Sequence, residues 1–207
     1  MATPVAETST QKRLITVDTI MDVPDLTEIV AGELEEKPMA GYIHSLIIVN
    51  LLEIIGAFVK ANQLGRCFPD GLSYTLHVDE NNVPTTRIPD FSFMRRGSLP
   101  DFDRRRPVPG APTLAVEVIS PTESVKYLRG KINDLLTYGT EAVWVIYPDA
   151  QELQVHEPNS QTIRVYRADD TLQAESLFPG LSFKLSDLFQ DDDTPDEENT
   201  ETETTDA

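Results

Sequence analysis

The sequence predicts a single α/β domain, and three observations carry that prediction. Residues 113–119 (TLAVEVI) and 142–147 (AVWVIY) are apolar at nearly every position, the pattern of strands covered on both faces. Between them, residues 123–138 repeat apolar side chains at Val125, Leu128, Ile132, Leu135 and Leu136, the spacing of a helix with one buried stripe. Strand, helix and strand in that order imply a crossover connection and parallel pairing.

The other elements are arranged around this unit. Residues 26–37 (LTEIVAGELEEK) read as two short strands about an Ala31-Gly32 turn. Residues 41–61 form the clearest helix, with Ile43, Leu46, Ile47, Leu51, Ile54, Ile55 and Phe58 on one broad stripe. Pro69-Asp70-Gly71 makes a turn. Residues 72–78 and 87–94 then pair as a hairpin across the loop at 79–82, and residues 95–109 read as a loop rich in Arg and Pro. Gly139 stops the second helix. A second hairpin follows at 152–156 and 162–166, with a short closing helix at 185–189.

At 207 residues the chain suits one domain with a sizeable core, here residues 13–190. Residues 1–12 and 191–207 are too polar to pack and are expected to be disordered. No stretch approaches the roughly 20 consecutive apolar residues that span a bilayer. The first dozen residues lack the apolar core of a secretory signal. Cys67 is the only cysteine, which excludes an internal disulfide and a thiolate zinc site and suits a cytoplasmic protein with no membrane partner.

Net charge is −18, which by itself argues against a polyanionic partner. The charge is unevenly placed. Residues 191–207 hold 9 of the 35 acids and no base, leaving 26 acids against 17 bases, or −9, on the rest of the chain. Arg95, Arg96, Arg104, Arg105 and Arg106 make one locally basic segment.

Glu117 is the most informative residue. It lies inside a strand whose other members are apolar, and a desolvated carboxylate costs several kcal/mol without compensation. A structural glutamate paired with a cation satisfies that condition, and so does a metal ligand at a cleft edge. Asp90 is the second acid. In Ile88-Pro89-Asp90-Phe91-Ser92-Phe93, alternation sets Asp90 and Ser92 on the face opposite Pro89, Phe91 and Phe93, although an aspartate after a proline is, taken alone, equally a turn or strand-end residue. Two carboxylates on neighbouring strands make a hard oxygen site of the kind that suits Mg²⁺ or Mn²⁺. Lys131 lies on the following helix, about 60° to one side of Leu128. It either snorkels to solvent or reaches the carboxylates.

These residues in this order resemble the PD-(D/E)XK nuclease superfamily, and more closely its Uma-two branch of restriction-endonuclease-like proteins. The resemblance runs from about residue 14 to 189. It is carried by Ile29-Val30-Ala31-Gly32-Glu33-Leu34, by Arg87 to Phe93, and by Leu114-Ala115-Val116-Glu117-Val118-Ile119-Ser120-Pro121. Lys131, Tyr138-Gly139, Val143-Trp144-Val145-Ile146-Tyr147-Pro148 and Phe178-Pro179-Gly180-Leu181-Ser182 complete it. It implies a mixed central sheet flanked by helices, with Asp90 and Glu117 as metal-binding acids. The superfamily's usual Glu-x-Lys would place lysine where this chain has Ile119. The branch uses a lysine on the next helix, here Lys131. Glu33 matches the glutamate of the branch's Gly-Glu-Leu segment and is a further candidate acid, although a hairpin glutamate is commonly a solvated one.

His44 stands where the branch often carries histidine and is a candidate substrate contact, or else a capping or part-buried side chain. Arg104 and Arg105 are candidate phosphate contacts, or else a solvated loop. His77, His156 and Cys67 read as structural.

The function that follows is a Mg²⁺- or Mn²⁺-dependent endonuclease acting on DNA, with Asp90 and Glu117 holding metal and Lys131 and Glu33 assisting. A homodimer suits an enzyme of this fold that cuts two strands. The alternative is a catalytically inactive module of the same fold that binds nucleic acid or a protein partner. The acidic tail is either an inert solvating segment or a DNA mimic that occupies the site in cis.

Overall fold

The computed structural model describes residues 14–37, 39–120 and 123–191. The ends expected to be disordered, residues 1–12 and 191–207, lie outside these residues, apart from Asp191 at the start of the tail. A short hairpin opens the domain, β1 (Thr27–Val30) and β2 (Glu33–Glu36). A continuous helical rod of 20 residues follows, from Tyr42 to Ala61. It consists of α1 (Tyr42–Leu51), a π-helical segment at Leu52–Gly56, and α2 (Ala57–Ala61). Next come β3 (Gly65–Pro69), β4 (Tyr74–Val78), β5 (Pro84–Arg87), β6 (Phe91–Arg95), β7 (Val108–Pro109) and β8 (Leu114–Val118). The crossover helix α3 (Val125–Thr137) leads to β9 (Ala142–Tyr147), β10 (Glu152–His156) and β11 (Arg164–Arg167). A ribbon of β12 (Thr171–Gln173) and β13 (Ser182–Lys184) and a 3₁₀ turn at Leu185–Phe189 close the domain.

The fold is α/β, as the sequence predicts. Its central sheet is mixed, in the order β11-β10-β9-β8-β6-β3, with β8 and β9 parallel and every other pair antiparallel. A second sheet has the order β2-β1-β5-β4-β7. Alternation along the two central strands decides what each face meets. Leu114, Val116, Trp144 and Ile146 pack with Ile47, Leu51, Ile55 and Val59 of the helical rod. Ala115, Val143 and Val145 pack on the opposite face with Leu128 and Leu135 of α3 and with Tyr74 of the second sheet. Glu117 shares the parity of Ala115, so it faces α3.

Three expectations are corrected. Residues 87–94 are not one hairpin strand. The chain leaves the second sheet after Arg87, passes through Ile88-Pro89-Asp90, and joins the central sheet at Phe91. Pro89 has no N–H to give a ladder, which suits a residue at such a break. The hairpin of β4 is instead made with β5. The buried line of α3 is also rotated. Val125 is 71% exposed while Lys131 is 1% exposed, in line with Leu128 and Leu135. Finally, the rod Tyr42–Ala61 is long and apolar enough by composition to cross a membrane, with mean hydropathy 1.9 over an 18-residue stretch of it. One face of it forms the core with the central sheet. Beyond these corrections, β3, β7 and the β12–β13 ribbon have no counterpart in the sequence reading, each being short and bordered by Gly, Pro or polar residues.

Two positions give tests of the fold. At Gly65 (φ +157°) an added Cβ would stand 2.0 Å from the Met94 carbonyl oxygen of the neighbouring strand. Gly65→Ala is therefore expected to destabilise the domain by about 3 kcal/mol or more, read from urea unfolding. His156 has its Nε2 atom buried with no partner among the described residues, and burial holds its pKa below the ordinary histidine value. As pH falls below about 6.5 the unfolded chain takes up a proton there before the folded one does, so stability is lost. The urea midpoint of His156→Gln should fall less than that of the wild type between pH 7 and pH 5.5. Parallel midpoints would show that His156 contributes no such dependence.

Candidate active site

Three carboxylates and three cations meet where the chain passes from β5 in one sheet to β6 in the other. Glu28 on β1, Asp90 at the crossing and Glu117 near the end of β8 are 0%, 3% and 2% exposed. Groups of this kind stay charged in an interior only when each is paired and hydrogen-bonded.

Lys131 supplies the central pairing. Its ammonium lies 2.7 Å from Glu117 Oε2 and 3.0 Å from Glu28 Oε1, and it donates to the Ile88 carbonyl at 2.9 Å. All three of its protons are thereby used. Burial alone would lower the lysine pKa, but Glu117, Glu28 and Asp90 outweigh it and hold the ammonium charged. Glu28 also accepts from Arg87 Nη1 at 2.7 Å, from the Ile88 N–H at 2.8 Å and from the Tyr127 hydroxyl at 2.8 Å. Burial pushes the Glu28 pKa up, and Lys131, Arg87 and the Ile88 N–H bring it below the usual range. Arg87 is itself held by Asp134 at 2.7 Å.

Asp90 is gripped differently. Its Oδ1 lies 2.7 Å from Lys37 Nζ. Its Oδ2 accepts from the Val118 N–H at 2.6 Å and from His44 Nε2 at 3.0 Å. Burial acts to raise its pKa, but the His44 hydrogen bond and the charges of Lys37 and Lys131 pull it well below the ordinary aspartate value. Lys37 makes a second, short contact to Asp70.

Glu117 is the exception in this network. Only Oε2 is engaged; Oε1 is buried with no partner among the described residues. Burial drives its pKa well up, against the pull of Lys131 and with a further push from Asp90 and Glu28. A cavity of about 20 Å³ lies beside these groups, lined by Lys37, His44, Asp90, Glu117, Glu123 and Lys131 among others. That is room for a single water-sized body.

Of the candidates, Asp90, Glu117, Lys131 and His44 are brought together. Glu33 is not: it is exposed on β2 opposite Val30 and does not line the cavity. The hairpin's contribution is Glu28 instead. Arg104 and Arg105 lie elsewhere, along a separate depression, with Arg104 over the Phe102 ring and Arg105 paired with Asp103 at 3.0 Å. Lys37, Arg87 and Glu28 were not marked by the sequence. Their only signal is charge in a short polar hairpin and at a strand end, which solvated residues share.

The donor chemistry suits a divalent cation at one point and resists it at another. The unpartnered Oε1 of Glu117, a residue that lines the cavity, is the hard oxygen such an ion takes. Both oxygens of Asp90, however, already hold Lys37, His44 and the Val118 N–H. No group of three or more His, Cys, Asp or Glu side chains able to hold a metal forms among the described residues. As arranged here, the side chains do not make a complete metal site.

A mixed sheet with helices on both faces, and acids and a lysine gathered at the end of its central strands, defines a nuclease-like protein of the restriction-endonuclease class. Within that class the chain belongs to the Uma2 family, whose model, described as "Putative restriction endonuclease", matches residues 23–186. Among solved structures the chain is similar to a protein of Anabaena variabilis ATCC 29413 described as "a putative nuclease belonging to DUF820". The two share 26% identity with a TM-score of 0.70, covering 84% of this chain and 97% of that one. No curated protein matches the chain significantly.

The buried network has a testable energetic consequence. Lys131→Met strands Glu117 and part of Glu28 without their ammonium, at an expected cost of about 3–5 kcal/mol in urea unfolding. Adding Glu117→Gln to that variant should recover a substantial part of the loss. A Lys131→Met protein as stable as the wild type would mean that the network stabilises nothing.

Proposed function

We propose that this chain is an endonuclease that hydrolyses phosphodiester bonds in DNA with the aid of Mg²⁺ or Mn²⁺. The observation that carries this reading is the buried carboxylate Glu117, which lines a cavity shared with Asp90, is fixed through Oε2 by Lys131 and keeps Oε1 without a partner among the described residues. Membership of a family described in restriction-endonuclease terms supports the class of reaction. A divalent ion, when bound, supplies Lewis acidity toward the phosphoryl group and a water of lowered pKa. The chain's own residues supply the frame. Glu117 Oε1 accepts a proton or a hydrogen bond from the attacking water. Lys131 holds Glu117 in place and offsets charge without leaving its three partners. Asp90 and His44 form the opposite wall. A homodimer would present two such cavities, one for each strand of a duplex.

One observation favours a second reading, a nuclease-fold module that binds nucleic acid or a protein without cleaving. Asp90 is saturated by its present partners and so is not poised to hold an ion.

Supercoiled plasmid with Mg²⁺ or Mn²⁺ separates the two. The wild-type protein, or a version ending at Gln190, should nick or linearise it, and Glu117→Ala should lower the rate by at least about a hundredfold, on the scale of losing a key polar catalytic group. Cleavage that survives Glu117→Ala, or that never occurs even without the tail, would leave only the binding module.

A further inference from the structure

We infer that Lys37 holds the cation position of this site, and that a divalent ion reaches Asp90 only by displacing the Lys37 ammonium onto Asp70. The inference rests on the metal-dependent reading proposed above and assigns a positioning role to a residue outside the expected acid–acid–lysine set.

Three observations lead to it. The first is charge. Glu28, Asp90 and Glu117 are matched one for one by Arg87, Lys37 and Lys131 through direct contacts of 2.7 Å. Both oxygens of Asp90 are taken, Oδ1 by Lys37 and Oδ2 by His44 and the Val118 N–H, so a divalent ion placed on Oδ1 would stand against the Lys37 ammonium, and like charges among buried groups repel strongly. Departure of that ammonium removes the repulsion.

The second is which cation can leave. Lys131 is 1% exposed and holds three partners, and Arg87 is 3% exposed and tied to Glu28, Glu35 and Asp134. Departure of either would break several buried contacts. Lys37 comes from the segment after β2 and lines the cavity at its Met39–Ala40 rim. Met39 is 93% exposed, so this rim faces solvent.

The third is where Lys37 would go. It already touches Asp70, whose side chain is 28% exposed against 5% for Asp90. Moving outward onto Asp70 keeps the ammonium paired and lets water reach it. Asp90 Oδ1 is then free to act with Glu117 Oε1 across the cavity. Lys37 is thus a built-in competitor: it occupies Asp90 Oδ1 in the metal-free protein and sets how much metal is needed to replace it.

Two measurements test this on the full chain, neither of which reads activity. In the first, the wild-type protein is labelled with an amine-acetylating reagent with and without Mn²⁺, and each lysine is followed by mass spectrometry. The exposed Lys60 and Lys126 serve as internal references. Lys37 should be protected without metal and become labelled as Mn²⁺ binds, while Lys131 stays protected. In the second, Mn²⁺ affinity is measured for Lys37→Met, which should bind about tenfold more tightly than the wild type, or about 1.4 kcal/mol. Asp70→Asn should bind more weakly. Mn²⁺ that binds the wild type while Lys37 stays protected would overturn the inference and leave the metal-dependent nuclease standing. No binding by either the wild type or Lys37→Met would overturn both. The labelling result stands by itself if Lys37→Met does not fold.

Discussion

Lys131 carries an ammonium group into the middle of the protein, 1% exposed, and sets it between Glu117 and Glu28 against the Ile88 carbonyl. Those three partners come from β8, from β1 and from the crossing between β5 and β6, so one side chain on α3 ties together both sheets and the crossover helix. The orientation of Glu117 follows from it, since Oε2 is committed to the lysine and Oε1 alone is left without a partner among the described residues. The burial of Glu28 and Arg87 follows too, because each depends on neighbours whose charge Lys131 balances.

The geometry around that lysine comes from simple periodicities. Strand parity turns Glu117 to the same face as Ala115 and so toward α3. Helical spacing sets Lys131 in line with Leu128 and Leu135, which bury the same helix face. A parallel β8–β9 pair requires α3 as its crossover and so brings the lysine over the end of the strand that bears the acid. Asp90 arrives from the other direction, one residue before β6, where its carboxylate takes the Val118 N–H that the end of the ladder would otherwise leave unpaired.

Much of the fold and part of the site were legible in the sequence, and the division has a physical cause. The crossover unit could be read because its strands are apolar on both faces and its helix is strongly periodic. Glu117 could be read because a carboxylate is costly in such a strand. The strand that changes sheets could not, since residues 87–94 keep one alternating pattern through the break. Lys131 was marked only by family resemblance. Its own periodicity set it beside the stripe, and only the buried acids show why an ammonium belongs within it. Glu28 and Lys37 could not be distinguished from solvated hairpin charges. Glu28 finds Arg87 and Tyr127 at separations of 59 and 99 residues, which no local pattern reports. Glu33, five residues further along the same hairpin, carries the family pattern yet lies on the exposed edge strand.

The passage of the chain from one sheet to the other at Ile88-Pro89-Asp90 has a consequence for how the molecule is made. Ile88 gives its N–H to Glu28 and its carbonyl to Lys131, while Asp90 reaches Val118. These contacts join segments 28 to 60 residues apart in the chain, and long-range contacts of this kind form slowly because loop closure comes first. Neither sheet alone can assemble the site, and neither can shift against the other without opening it. The pocket is therefore a property of the finished molecule: a nascent or partly unfolded chain has the residues but no cleft, so its chemistry is withheld until the last docking step is complete.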